Sequence, residues 1–519
     1  MSTTDQPVTL VVRGARLTTP EGLSGPVDLL VAGDVIDHVV PAGSVPVPAG
    51  AHVIEAAVLD PDVQLAMLRQ GVTSIVVGQD GVSYAPSASQ PVADGTHDAH
   101  TWATGYFSAI NGEHPTFRGG SVADLLATYE GTTPLNVAYL VPHGTLRYDV
   151  LGGAARPASP EETGRMVALL REALDDGACG MSTGLEYAPA SNATDDELVA
   201  LTRVLAEHDL PHVSHMRGYE DRAGSAMAEL VRVARASGVA THVSHYHGPA
   251  DELIGYVEDA HAAGLDVTFD SYPYLRGCSI LSMVSLPTWL PVADPDATVA
   301  MLQDPDVVAR LRAEHFPGLA DLWERVTMAA VPGELQWSEG MALLDVADRL
   351  GLDPVETTLR ILVSTHLRAG CVFAQPPTNS PGSVRALLRH PAQMGGSDAI
   401  YQGGRPHPRG WGAFARFLAE HVRALGDWTW HDAERHLSTA AAERFGFGDR
   451  GVLRPGARAD VVLLDPETVQ DVATYEDPRR PATGIDDVLV AGVPVLAGGL
   501  PTGATPGRAL RPAVTADRA

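Results

Sequence analysis

Two runs decide how this chain folds: His212-Val213-Ser214-His215-Met216-Arg217 and Val239-Ala240-Thr241-His242-Val243-Ser244-His245-Tyr246-His247. Each is a short apolar stretch closing on Ser-His, and each stands between helix-like segments. Upstream, Ser159-Pro160-Glu161-Glu162 carries an N-cap, a proline at the first helical position and a capping-box glutamate. Met166, Leu169, Leu170, Ala173 and Leu174 then mark one apolar face. Thr194-Asp195-Asp196-Glu197 opens a second helix in the same manner. Further apolar strands are expected at 74–78, 137–141, 178–182, 267–270 and 394–397. Alternation of apolar strands with helices predicts a parallel sheet buried on both sides. The expected fold is α/β, a TIM-like (β/α)8 barrel. Only about seven of the eight strands a closed barrel needs can be found, and the first is the missing one.

Outside this rhythm lie three regions. Residues 281–380 read as a mostly helical insertion. Val8-Thr9-Leu10-Val11-Val12, Leu29-Leu30-Val31 and Val35-Ile36 alternate as short strands, as do Val461-Val462-Leu463-Leu464 and Val488-Leu489-Val490. Residues 1–57 with 440–500 are therefore expected to form one β-sandwich, and 58–439 the barrel. Residues 501–519, rich in Pro, Gly and Ala, are expected to be a loose tail.

Composition excludes several classes. The formal net charge is −28 over 519 residues, so nucleic acid and anionic membranes are poor partners. All 36 basic residues are arginine. Without lysine there is no Schiff base, no P-loop lysine and no carboxylated lysine between two metals. No run of about 18 apolar residues predicts a membrane span. The start, Met1-Ser2-Thr3-Thr4-Asp5-Gln6, lacks the basic and apolar regions of a signal peptide. Cys179, Cys278 and Cys371 form no disulfide framework, which favours a reducing, cytoplasmic location.

In a β/α barrel the active site lies at the C-terminal strand ends. His215, His245 and Ser397-Asp398 all fall there. Two imidazoles and a carboxylate suit zinc. The competing reading is that each histidine only caps its strand through hydrogen bonds.

Several motifs in order along the chain match one family. They are Gly71-Val72-Thr73-Ser74-Ile75-Val76-Val77-Gly78, Asn136-Val137-Ala138-Tyr139-Leu140-Val141 and Gly180-Met181-Ser182-Thr183-Gly184-Leu185-Glu186-Tyr187. Ser214-His215-Met216-Arg217, Asp270-Ser271-Tyr272-Pro273-Tyr274, Gly396-Ser397-Asp398, His407-Pro408-Arg409-Gly410-Trp411-Gly412 and Pro455-Gly456-Ala457-Arg458-Ala459-Asp460 continue the series. The chain resembles the D-aminoacylase (N-acyl-D-amino-acid deacylase) branch of the amidohydrolase superfamily. That resemblance implies His215 and His245 as metal ligands. It implies Asp398 as the general base that moves a proton from the attacking water to the leaving amine. It implies Arg409 and Tyr187 as holders of a small-molecule substrate's free carboxylate, and one zinc ion as cofactor. It gives no oligomeric state.

Two departures stand out. Familiar members carry a cysteine ligand after the second strand, where this chain has Gly78-Gln79-Asp80-Gly81; Asp80 takes the place, either as a ligand or as a turn residue beside Gly81. Members also carry His-x-His at the end of the first strand. Here His52-Val53-Ile54-Glu55-Ala56-Ala57 runs straight into Val58-Leu59-Asp60-Pro61, and the one His-x-His is His245-Tyr246-His247, whose His247 is expected to face a polar loop. The expected reaction is hydrolysis of an N-acyl-D-amino acid. Its rivals are a catalytically impaired member and an amidohydrolase acting on a cyclic amide.

Overall fold

In the computed structural model, which describes residues 8–20, 22–41, 59–87, 98–105, 107, 110, 112 and 114–513, the two Ser-His runs are adjacent parallel strands. His212–His215 pairs with Thr241–Val243 on one side and Met181–Gly184 on the other. Parallel pairing continues through Val267–Ser271 to Gln393–Gly395. In the other direction it passes through Val141–Pro142 and the collinear Asn136–Tyr139 to Ser74–Val77. The middle strands are buried along their whole length, as near-continuous apolar runs in a covered parallel sheet should be.

Helices cover the outside for the reasons their sequences give. Ser159 accepts from the Glu162 amide while the Glu162 side chain returns to the cap, and Pro160–Asp175 buries Met166, Leu170, Ala173 and Leu174. The Met and Leu side chains among them each contribute about 1.5–3 kcal/mol of burial. One strand is shorter than expected. Residues 239–245 pair only as Thr241–Val243, because His245 adopts φ 38°, a left-handed backbone that cannot extend a strand.

The two outer strands differ from the rest. Ser74–Val77 pairs only with Asn136–Tyr139, and Gln393–Gly395 only with Val267–Ser271; among the described residues no hydrogen bonds join them to each other. Ser74 is exposed and Ile75, Val76 and Val77 are half-buried. A cavity of about 2110 Å³ runs from Asp80, His215 and His245 past Val76 to Val462. A usual small-molecule pocket holds roughly 300–1,000 Å³. The junction after Ala57, and residues 53–57 as a substitute strand, lie outside the described residues.

Both ends of the chain share one core. Val8–Ala15, Val27–Ala32 and Val35–Pro41 form one antiparallel sheet, and Val461–Leu464, Ile485–Val490 and Val493–Ala497 belong to another. Val12, Leu29, Val31 and Ile36 from the first pack against Ala459, Val461 and Leu489. The Ile36 amide donates to the Ala457 carbonyl and the Ala459 amide to that of Asp34, tying the sheets together.

Two regions differ in detail from their sequence pattern. The insertion holds helices such as Leu343–Leu350 and Pro354–Ser364, but it also builds a three-stranded antiparallel sheet. Gly370–Ala374 lies between Arg276–Ile280 and Val326–Ala330. These five-residue strands are far apart in sequence and lack regular alternation, so no local pattern announces them. The tail is not loose through residue 513. The Val137 amide donates to the Arg508 carbonyl, the Leu510 amide to that of Val137, and the Gly507 amide to that of Thr133. Leu510 then packs with Ala138, Leu140, Cys179 and Val213 at the N-terminal ends of the strands. No helix among the described residues is long and apolar enough to cross a membrane.

Candidate metal centre

Parallel strands deliver their C-terminal ends to one rim, and three side chains meet there. His215 is the last residue of its strand, His245 follows Thr241–Val243 by two residues, and Asp80 follows Ser74–Val77 by three. One donor atom from each lies within 4.8 Å of the others. His215 Nδ1 is 2.8 Å from His245 Nε2, which is 3.6 Å from Asp80 Oδ1. Asp80 Oδ1 is buried without a hydrogen-bond partner. A buried anionic oxygen left unpaired is costly, and a cation between it and the two imidazoles would satisfy all three groups. The donor set fits a divalent ion such as zinc.

The backbone is strained where the chemistry would be. Asp80 (φ 55°), His245 (φ 38°) and Asp398 (φ 47°) all sit in the left-handed region. Such conformations cost on the order of 1–3 kcal/mol and persist only where the surroundings impose them. At His245 that constraint is visible: its amide donates to Asp270 Oδ1 at 2.8 Å, and Asp270 Oδ2 is 3.1 Å from His242 Nε2.

Burial raises the Asp80 carboxyl, but the charges of His245, His215 and Arg409 outweigh it and hold it below the ordinary carboxylate range. Burial works against a charged His245, yet Asp80, Asp398 and Asp270 push its pKa up to about 9. Asp398 is raised: burial dominates over Arg409 and His245. A carboxylate raised in this way is suited to carrying a proton between two partners.

Asp398 follows Gln393–Gly395 and lies beside the cluster, with Oδ2 2.5 Å from Arg409 Nη2. Arg409 opens the helix Arg409–Arg416, is wholly buried, and stacks over the Tyr272 ring at 4.4 Å. Apart from that ion pair its guanidinium nitrogens have no hydrogen-bond partner among the described residues. A buried guanidinium with unspent donors is an anion site in waiting. Tyr187 points its hydroxyl at His215 Nδ1, 2.7 Å away, so in this structure it contacts the cluster and not Arg409. His247 stays out of the ligand set: Nδ1 is 2.7 Å from the His245 carbonyl and the ring stacks on Tyr219 at 4.9 Å.

Sequence reasoning gave no role to Glu186, Asp270 or Tyr272, although all three stand inside the runs quoted for the resemblance. Glu186 Oε2 lies 3.0 Å from His215 Nε2. The signal for it was its place beside Tyr187, two residues past a strand end.

Residues 51–496 match the model of the amidohydrolase family. A similar relative is the N-acyl-D-glutamate deacylase of Alcaligenes xylosoxydans xylosoxydans, 33% identical over 85% of this chain and 80% of its own length. Among solved structures, the N-acyl-D-glutamate deacylase of Bordetella bronchiseptica, complexed with zinc and a phosphonate inhibitor, superposes with a TM-score of 0.77 at 29% identity, covering 98% of this chain and all of that one. A D-aminoacylase with a binuclear metal centre, described by one-metal activation and second-metal attenuation, superposes equally at 26% identity, covering 97% of this chain and all of that one.

Proposed function

We propose, for a chain that belongs to the amidohydrolase family and to its D-aminoacylase branch, that it hydrolyses N-acyl-D-amino acids to a carboxylate and a free D-amino acid. The observation that carries this reading is the buried Arg409, with unspent donors, set against Asp398 beside a three-residue metal cluster. Arg409 receives the substrate's free carboxylate, which places the scissile amide near Asp80, His215 and His245. Asp398 accepts the proton of the attacking water and returns it to the leaving nitrogen. A bound zinc would supply Lewis-acid polarisation of the carbonyl and an acidified water. One ion suffices, because Asp80, His215 and His245 already provide the three protein ligands of a catalytic zinc site. Tyr187, at the cluster, is within reach to donate to the bound substrate.

Arg409 also separates this reading from cyclic-amide hydrolysis, since a cyclic amide need offer it no carboxylate. The decisive experiment compares N-acetyl-D-amino acids, their L-enantiomers and the amidated D-compounds. Turnover of the D-acid alone is expected; equal turnover of the amide would defeat the assignment.

A specific observation favours reduced activity. Among the described residues the edges of Ser74–Val77 and Gln393–Gly395 have no partner where the barrel's first strand would lie, which in this branch would bring a His-x-His pair to the rim. On this reading the pocket wall beside the water lacks that pair, and the two edges lack the hydrogen bonds of a closed barrel. We therefore read the chain as a weak, zinc-binding deacylase of the cytosol. Its three free cysteines suit that compartment.

A further inference from the structure

Resting on the metal-site reading above, we infer that Glu186 is a positioning residue that selects which nitrogen of His215 faces the metal. Consecutive residues touch opposite sides of one imidazole. Glu186 Oε2 is 3.0 Å from His215 Nε2, and the Tyr187 hydroxyl is 2.7 Å from His215 Nδ1. An ionised carboxylate only accepts, so the proton of a neutral His215 resides on Nε2. The lone pair is then on Nδ1, the atom 2.8 Å from His245 Nε2 and on the Asp80 side. The unproductive tautomer would turn a lone pair toward the carboxylate and an N–H toward the cation.

The contact is braced from both directions. The other Glu186 oxygen pairs with Arg222, whose side chain is 61% exposed, so the carboxylate is anchored from the solvent side. The ring itself is held edge-on against Tyr219 at 5.0 Å and tilted by 44° against Tyr187 at 4.4 Å. Tyr219 is fixed in turn, accepting from the Met216 amide at 3.0 Å and donating to the Ser244 carbonyl at 3.1 Å. His215 therefore meets its site already oriented, with a charged acceptor behind it, an arrangement that fixes the ring of a metal-binding imidazole. Glu186 touches neither the ion's place nor Asp398; it acts through His215.

The test reads zinc affinity by chelator competition on the full-length protein, together with the visible absorption of the cobalt-substituted form. Glu186→Ala should weaken zinc about 10–100-fold and alter the cobalt spectrum. Glu186→Gln should recover most of that loss, because its amide oxygen still accepts from Nε2–H. Arg222→Ala, at the exposed end of the relay, should weaken zinc less than Glu186→Ala without entering the pocket, and it keeps the test alive if Glu186→Ala fails to fold. Melting of the metal-free proteins should not separate Glu186→Gln from the unmodified chain. His245→Ala is the control for the site itself. Zinc lost in His245→Ala but unchanged in Glu186→Ala and Arg222→Ala would overturn the positioning role alone. Zinc retained equally in His245→Ala would overturn the ligand assignment, and the role of Glu186 with it.

Discussion

The strand ends from Val141–Pro142 to Val267–Ser271 and the two outer strands of the same sheet obey different rules. In the first region Met181–Gly184, His212–His215 and Thr241–Val243 each have two parallel neighbours and are buried, and the rim carries His215 and His245 on a fixed backbone. In the second, Ser74–Val77 and Gln393–Gly395 each keep one neighbour among the described residues, and the rim carries Asp80 and Asp398 beside a large cavity. Among the described residues the ligand cluster is assembled from strand ends whose two outer strands do not pair with each other. What closure adds is the far wall of the pocket and the rigidity of the edges.

The comparison is broken most severely by removing a ligand from the continuous region. His245→Ala should abolish stoichiometric zinc, measured by plasma emission, and with it the hydrolysis. Loss of a ligand should exceed the 10–100-fold affected by an outer-shell partner, so affinity should fall by about a hundredfold or more. Equal zinc in both proteins would remove His245 from the site.

A second break lies behind the rim in the same region. His143 Nε2 is 2.8 Å from Glu197 Oε1, Arg147 pairs with the other oxygen, and all three side chains are buried. Glu197→Ala strands a buried arginine and should cost roughly 3–5 kcal/mol of stability in denaturant unfolding. Burial raises the Glu197 carboxyl, but His143 and Arg147 overcome it and bring it to about 2, against an ordinary 4.5. A depressed carboxylate stabilises the fold above its unfolded value, and that contribution is lost as pH falls from about 4.5 toward 2. The melting temperature should drop across that window, and Glu197→Gln should flatten the drop.

The comparison is sharpened by supplying what the outer strands lack. Inserting a strand that ends in His-x-His after Ala57 should raise kcat/KM for an N-acetyl-D-amino acid by about a hundredfold, since a misplaced pocket wall costs about that much. It should also raise the melting temperature. If the unmodified chain is as fast as the repaired one, the seam has no catalytic consequence.

The smallest effect is expected at Arg409→Lys, which keeps the charge and loses the fork. Here kcat/KM should fall by about tenfold or more, with zinc content unchanged. A loss of zinc instead would tie Arg409 to the metal cluster through Asp398.

The same two regions explain what the sequence made legible. The Ser-His strand ends were readable because each apolar run leads into a histidine of the cluster, and helix starts such as Ser159 and Thr194 carry their own capping chemistry. Asp80 was readable only by position, as a carboxylate after a strand. Glu186 was not, because its partner is fixed by a backbone turn after Met181–Gly184 that no periodicity encodes. The antiparallel sheet of the insertion was hidden for a related reason: Cys278 and Val372 are register partners across nearly a hundred residues. Arg409 was expected from its motif alone, and its ion pair with Asp398 is a fact of packing that no sequence pattern announces.

Leu510 gives the chain an order of assembly. Residues 8–41 leave the ribosome first, yet their core waits for Ala459, Val461 and Leu489. The strands Asn136–Tyr139 and His212–His215 are made midway, yet Ala138 and Val213 wait for Phe445, Phe447 and Leu510. A nascent chain therefore passes position 459 before its sandwich has both sheets, and position 510 before the cluster beneath its parallel sheet is filled. A chain cut after Pro501 would keep every described strand of the parallel sheet and both phenylalanines, and would lose Leu510 and the amide hydrogen bonds that join 507–510 to 133–137.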